Sequence, residues 1–314
     1  MLTSFHALAV LSTGIYFSGL TYFKLAAPQM VPLRGDRPWR LVRELLGNRT
    51  WLAGATVIGV GATVQATALT GLSLHQAQPM FLAGLGILLV LAVPILRERL
   101  TPREWGCVAL LAAAAFLFSF GSPAGDAAGS AIITWPDRTL VVAIALPSLL
   151  VPCIAFLAVD QARRGAHARP LTGVALAIDA GLLTGTAEMA LTGAAGLSET
   201  PGDLLTAPYL YIFAVTAPLA LGQLQIALQR SRLAIVGLVA TATAKTYLLT
   251  VAATLYGERW PDDGGRTALA LALTVLAIAA VPHHERRTSR ARLQHGTGVA
   301  GPLVSPGPRR RASG

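Results

Sequence analysis

Three ionisable side chains stand inside long apolar runs of this 314-residue chain: Asp179 and Glu188 in one run, Lys245 in another. A charge at the centre of a bilayer costs about 2.5–3.5 kcal/mol even on the forgiving insertion scale, so each needs a polar path or a partner. Asp179 and Glu188 are nine residues apart, about half a turn around a helix, and so do not form a paired-carboxylate site by themselves. Lys245 sits midway along its run, near the depth of Asp179. The spacing predicts an Asp179–Lys245 pair, either locking the helices together or titrating and contacting a solute. Glu188, about six residues or about 9 Å further out, is expected to be the poorer partner. Gln65, Gln223 and Gln225 also fall within apolar runs. Their amides suit either hydrogen bonding between helices, at about 0.6 kcal/mol each, or solute contact. The candidate binding residues are thus Asp179, Lys245, Glu188, Gln65 and Gln225, with Asp179 and Glu188 as oxygen donors if the cargo is a cation.

The elements that must position these groups follow from the runs themselves. The chain is 54% hydrophobic and 13% charged, about half the charge of a soluble protein. Crossing about 30 Å of hydrocarbon takes about 20 apolar residues in a helix. Nine spans are predicted: 5–26, 51–71, 77–96, 105–122, 139–159, 171–195, 208–228, 234–256 and 267–283. The runs are Leu/Ala-rich, continuous and too long for barrel strands. The expected fold is an all-α polytopic bundle.

Its orientation follows from the basic residues. Of the 25 Lys and Arg, 21 lie on one side: in the loops after the first, third, fifth and seventh spans, and in the tail. The other side holds Arg138, Arg259 and Arg266 among acids such as Asp126, Asp203 and Asp262. The N-terminus is therefore expected outside and the C-terminus in the cytoplasm, in a cell inner membrane. No Lys or Arg precedes Lys24, so the first run reads as an uncleaved helix rather than a signal peptide.

Residues 36–47 read as a short helix on the inner surface, with Pro38 in its first turn and Gly47 at its stop. Trp39, Val42, Leu45 and Leu46 are expected on one face, and Arg40, Arg43 and Glu44 toward water or headgroups. Trp51, Trp105, Trp135 and Trp260 fall at span ends, where indole prefers the interface. The basic, Pro- and Gly-rich stretch 284–314 is expected to be a disordered cytoplasmic tail. Adjacent His283 and His284 cannot share a helix face as a metal pair. Cys107 and Cys153 read as buried free thiols with no disulfide framework.

Several classes are excluded. The basic charges sit in loops and tail rather than on a folded face, so no nucleic-acid partner is expected. No glycine-rich phosphate loop followed by Lys-Ser or Lys-Thr occurs, which argues against ATP-driven pumping. The spans hold no histidine pair and no nucleophile elbow, so no enzyme and no cofactor is expected. Gly54 to Gly61 and Gly84 to Gly86 read as small-residue stretches for close helix contact. Pro79, Pro94, Pro147, Pro152 and Pro218 can kink their helices.

A shift of 160 residues lays Leu96, Arg97, Glu98 and Arg99 over Tyr256, Gly257, Glu258 and Arg259, and Gln65 over Gln225. By the predicted orientation the two Glu-Arg pairs face opposite sides, the pattern of inverted-repeat carriers. Each is read as a helix-end cap with local pairing, or as a gate contact. The string Leu96 to Gly106, leading into an Ala/Leu-rich helix, resembles the helix junction of EamA-type domains, and Tyr256 to Trp260 resembles its second copy. These domains belong to the drug/metabolite transporter superfamily, and the resemblance covers residues 5–283. Members usually have ten helices in two inverted five-helix halves. Here the first half (5–122) has four spans, with the amphipathic 36–47 segment where a second helix belongs, and the second half (139–283) has five. That pattern, with Gln76 to Pro79, is similar to the nine-helix NIPA-like branch, which the resemblance associates with magnesium transport.

The function expected from sequence is a membrane-embedded secondary transporter of a small polar metabolite or ion, working by alternating access. A NIPA-like magnesium transporter and a non-transporting membrane scaffold are the alternatives. The lipid bilayer is the expected partner, with a homodimer as one option for assembly.

Overall fold

The computed structural model describes residues 4–33, 38–69, 71–72, 84–120, 138–161, 172–197, 201–255 and 264–296, and among them every regular element is helical. In chain order these are α1 (Ser4–Ala26), which ends in a 3-10 turn (Ala27–Gln29), α2 (Pro38–Gly47) and α3 (Arg49–Leu69). A helix over 84–92 is α4. Then come α5 (Pro102–Phe120), α6 (Arg138–Gln161), α7 (Thr172–Gly196), α8 (Pro201–Thr206), α9 (Tyr209–Arg230), α10 (Leu233–Leu255) and α11 (Gly264–Gly296). Five of them are long and apolar enough to cross a membrane: Arg49–Leu69, Arg138–Leu157, Gly173–Gly196, Tyr209–Arg230 and Leu233–Val251.

Most predicted spans agree with these helices to within three residues at each end. Two differ. In the predicted 77–96 span the helix runs over 84–92 and then opens into turns, with Arg97 at a φ of 51°. Residues 77–83 lie outside the described residues. At the other end of the chain α11 continues to Gly296, past His284 where the tail was expected to lose structure. Its Glu, Arg, Ala, Leu and Gln residues are good helix formers, and no glycine interrupts them before Gly296. Positions 297–314 lie outside the described residues, as do Trp135, Trp260, Glu258 and Arg259. The short helix α8 has no counterpart in the predicted spans, being too brief to give a periodic signal.

Burial orders the bundle. Of the membrane-length stretches, α10 is 78% and α7 67% buried within the protein, whereas α6 is only 17%. Both central helices are largely apolar with no single polar face, as suits a helix surrounded by others. On α6, Leu146, Leu150, Ile154 and Leu157 remain exposed, and this surface suits lipid.

Glycines set two close helix contacts. At Gly54 of α3 a Cβ would lie 2.8 Å from Phe23 Cδ1 and 3.0 Å from the Gly19 carbonyl oxygen of α1. At Gly181 of α7 it would lie 2.6 Å from the Ala240 carbonyl oxygen of α10. Backbone this close tolerates no side chain; at Gly54 the small-residue reading of Gly54 to Gly61 anticipates this.

At the arginine-rich end, Asn48 caps α3 by accepting the Trp51 N–H at 2.9 Å. Trp51 is buried and stacks on Phe23 at 5.2 Å between ring centroids. It thus turns inward, whereas Trp105 is half exposed. Helix α2 has three sides rather than two. Leu41 and Leu45 turn into the protein; Trp39, Val42 and Leu46 form an exposed apolar strip; Arg40 and Arg43 are exposed beside it. Leu45 therefore leaves the lipid-facing set to which its sequence pattern assigned it.

Candidate functional site

Four helices line one cavity, mostly with polar side chains: Thr13, Tyr16 and Phe17 from α1, Gln65 from α3, Thr184 and Glu188 from α7, and Thr241, Ala244 and Lys245 from α10. Its volume is about 20 Å³, room for about one water. Lys245 and Glu188 close across it as an ion pair, Lys245 donating to Glu188 Oε2. Only 7% of the Lys245 side chain and 15% of the Glu188 side chain is exposed. Tyr16 lines the cavity together with Thr184 and Glu188. The side-chain nitrogen of Gln65 is buried without a hydrogen bond.

This corrects the expected Asp179–Lys245 pair. Depth along the helices does not decide between the carboxylates, because Lys245 lies between the levels of Asp179 and Glu188. Rotation decides. Gly181 and Gly185 mark the face of α7 that touches α10, with Gly185 against Tyr247 and Ala244. Glu188, seven residues after Gly181 and three after Gly185, shares that face. Asp179, two residues before Gly181, points about 160° away at 100° per residue.

Asp179 is buried, at 8% exposure, and does not line the cavity. Among the described residues it has no ion-pair partner, and Cys153 of α6 lies within its field. Gln225 is fully buried and is also absent from the cavity. Its side-chain nitrogen donates to Met30 Sδ at 3.8 Å. Gln223 is buried as well, its carbonyl oxygen without a hydrogen bond. Three of the five candidates, Lys245, Glu188 and Gln65, therefore share one site, and Asp179 and Gln225 do not.

The uncharged lining, Thr13, Tyr16, Thr184 and Thr241, escaped the sequence reading. Hydroxyls are common in apolar helices, and several bond back to their own turn, as Thr13 does to the Ala9 carbonyl at 2.9 Å. The spacing of Thr241 and Lys245 on one helix face is the signal that could have found one of them.

As a divalent-cation site the donor set fits poorly. Asp179 and Glu188 project from opposite sides of α7, and a lysine ammonium occupies the Glu188 carboxylate. No group of three or more His, Cys, Asp or Glu suited to a metal occurs among the described residues.

Glu98 does cap a helix, though not locally. Its carboxylate accepts the N–H groups of Leu233 at 2.7 Å and Ala234 at 3.0 Å, the first turn of α10. No family model matches the chain, and neither a curated protein nor a solved structure does.

Proposed function

We propose that the chain is a secondary carrier that moves a small polar solute across the cell membrane by rocking two inverted halves around the Lys245–Glu188 cavity. The observation that carries this reading is the cavity itself. Polar groups of four helices converge on a buried, neutralised charge pair, where hydrocarbon or plain packing would serve a scaffold better. Replacing such a pair with apolar residues is often neutral or stabilising, so its presence at this depth favours use over glue.

Support for the inverted halves is positional. Helix α3 begins at Arg49 and α9 at Tyr209, an offset of 160, and Gln65 and Gln225 each stand 16 residues beyond those starts. With the same offset α5, starting at Pro102, falls within two residues of α11, which starts at Gly264. The short α2 likewise overlaps the short α8. On this register α1 to α5 answer α7 to α11, and α6 is an unrepeated link. The nine predicted spans then divide four, one and four, in place of four and five. The cavity falls between α1 and α3 of one half and α7 and α10 of the other, where inverted-repeat carriers hold their solutes. Membership of the drug/metabolite transporter superfamily agrees with this arrangement, as does a cytoplasmic arginine-rich end.

A cavity with room for about one water corresponds to a contracted state, which a solute enters only after helix movement. Lys245 can offer N–H donors to an anionic or carbonyl oxygen and Glu188 an acceptor to a donor group. The test is to express the chain in a host, then compare retained and exported metabolites and metals with those of the empty host. A solute whose distribution changes supports the carrier. An unchanged inventory with well-folded, membrane-inserted protein removes it and leaves the scaffold reading.

A further inference from the structure

The junction between α9 and α10, at Ser231 and Arg232, is held by side chains from a distant part of the chain. Lys24, at the end of α1, donates to the carbonyl oxygens of Leu228 at 2.8 Å and Ser231 at 2.6 Å. Glu98, between α4 and α5, accepts two N–H groups of the first α10 turn. A helix C-terminus favours a cation and an N-terminus an anion; each end receives the sign it needs. Arg232 adds a third tie, meeting Glu104 Oε1 at 2.9 Å and the Arg99 carbonyl at 2.9 Å.

The holding arm is itself fixed. Thr101 and Glu104 form a reciprocal cap on α5: the Thr101 N–H reaches Glu104 Oε2 at 2.6 Å, and the Glu104 N–H reaches Thr101 Oγ1 at 3.4 Å. Arg97 takes a left-handed conformation that a non-glycine residue adopts only at a cost. The Glu98 N–H then bonds back to the Ala92 carbonyl at 3.2 Å. That turn aims the Glu98 carboxylate at α10.

We propose that Lys24 and Glu98 form a releasable clasp that closes the arginine-rich end of the carrier beneath the Lys245–Glu188 cavity. The inference rests on the carrier reading, and it names the contact that must break when the site opens to that side. Three features assign the clasp this role. It joins α1 and the α4–α5 link to the α9–α10 junction, which belong to opposite halves. Lys245 and Thr241, which line the cavity, ride on the clasped helix, 12 and 8 residues from its first residue, Leu233. Every bond of the clasp runs from a side chain to a helix end, so release leaves both helices intact.

The experiment reads access to the cavity from each side, without a known solute. In protein with Cys107 and Cys153 replaced by Ala, Thr241→Cys is exposed to a small membrane-impermeant methanethiosulfonate in inside-out and right-side-out vesicles. With the clasp intact, labelling from the arginine-rich side is slow. With Glu98→Ala and Lys24→Met it rises roughly tenfold, the shift expected when a helix cap of about 1.4 kcal/mol is lost. Glu98→Gln, which keeps one acceptor, falls between. Size-exclusion profiles identify variants that fold. Fast labelling from that side in the parent, or no rise in folded variants, overturns the clasp. In the second case, labelling that persists from the opposite side leaves the carrier reading standing. A cysteine sealed from both sides in every variant counts against both.

Discussion

Lys245 of α10 and Glu188 of α7 neutralise each other inside the bundle, while Asp179, on the same helix as Glu188, faces away from them. One ion pair thus separates two carboxylates that the sequence presents as equivalent, and it ties the two most buried helices together at the cavity.

Removing one partner should cost more than removing both. Glu188→Gln removes the carboxylate that pairs with the buried Lys245 ammonium and is expected to destabilise the protein by about 3–5 kcal/mol. Glu188→Gln combined with Lys245→Met should recover most of that loss. Thermal unfolding in detergent, followed by circular dichroism for the two single variants and the double, checks the sign of the coupling. Additive losses would mean that the two charges do not hold each other.

Glycine substitutions should separate tight contacts from open ones. Gly181→Ala sets a methyl 2.6 Å from a backbone oxygen that cannot move aside, and a loss of about 1–3 kcal/mol is expected. Gly86→Ala meets nothing within 4 Å and should be neutral or gain up to about 1 kcal/mol of helix propensity. Melting temperatures of the pair give the comparison, and equal shifts would contradict the close α7–α10 contact.

The helices were largely legible in the sequence, and the site only in part. Hydropathy located the helices because each long one is a continuous apolar run bounded by polar or charged residues. It could not give rotation about the helix axis, which selects Glu188 over Asp179. The information was present in Gly181 and Gly185, whose spacing marks the contact face of α7. Gln225 was chosen by its match to Gln65 at the 160-residue shift. The two glutamines occur at equivalent positions in their helices, yet only Gln65 reaches the cavity. The partners of Glu98 lie 135 and 136 positions away, and no local pattern encodes such a contact.

Helix α2 should lie at the lipid interface through Trp39, Val42 and Leu46. Trp39 is 85% exposed in the protein alone, and the expectation is that the bilayer covers it. Brominated lipids with bromine near the headgroup should quench a component of the tryptophan emission that disappears in Trp39→Phe. Emission from Trp39 that is reached by aqueous iodide and untouched by the brominated lipids would place α2 in water.

Asp179→Asn and Lys245→Met should differ in their consequences for transport, because only Lys245 lines the cavity. The loss in Lys245→Met is expected to be at least about tenfold, the effect of about 1.4 kcal/mol of lost solute contact. Asp179→Asn should keep flux within about twofold.

The most direct test of the carrier reading is therefore the flux of the solute found by the metabolite and metal comparison. It is measured in proteoliposomes for the parent, Asp179→Asn and Lys245→Met, at matched folded protein. The expected result is transport by the parent and Asp179→Asn, with loss in Lys245→Met. Full transport by well-folded Lys245→Met, or a parent that moves no solute, would contradict a solute site at the Lys245–Glu188 pair.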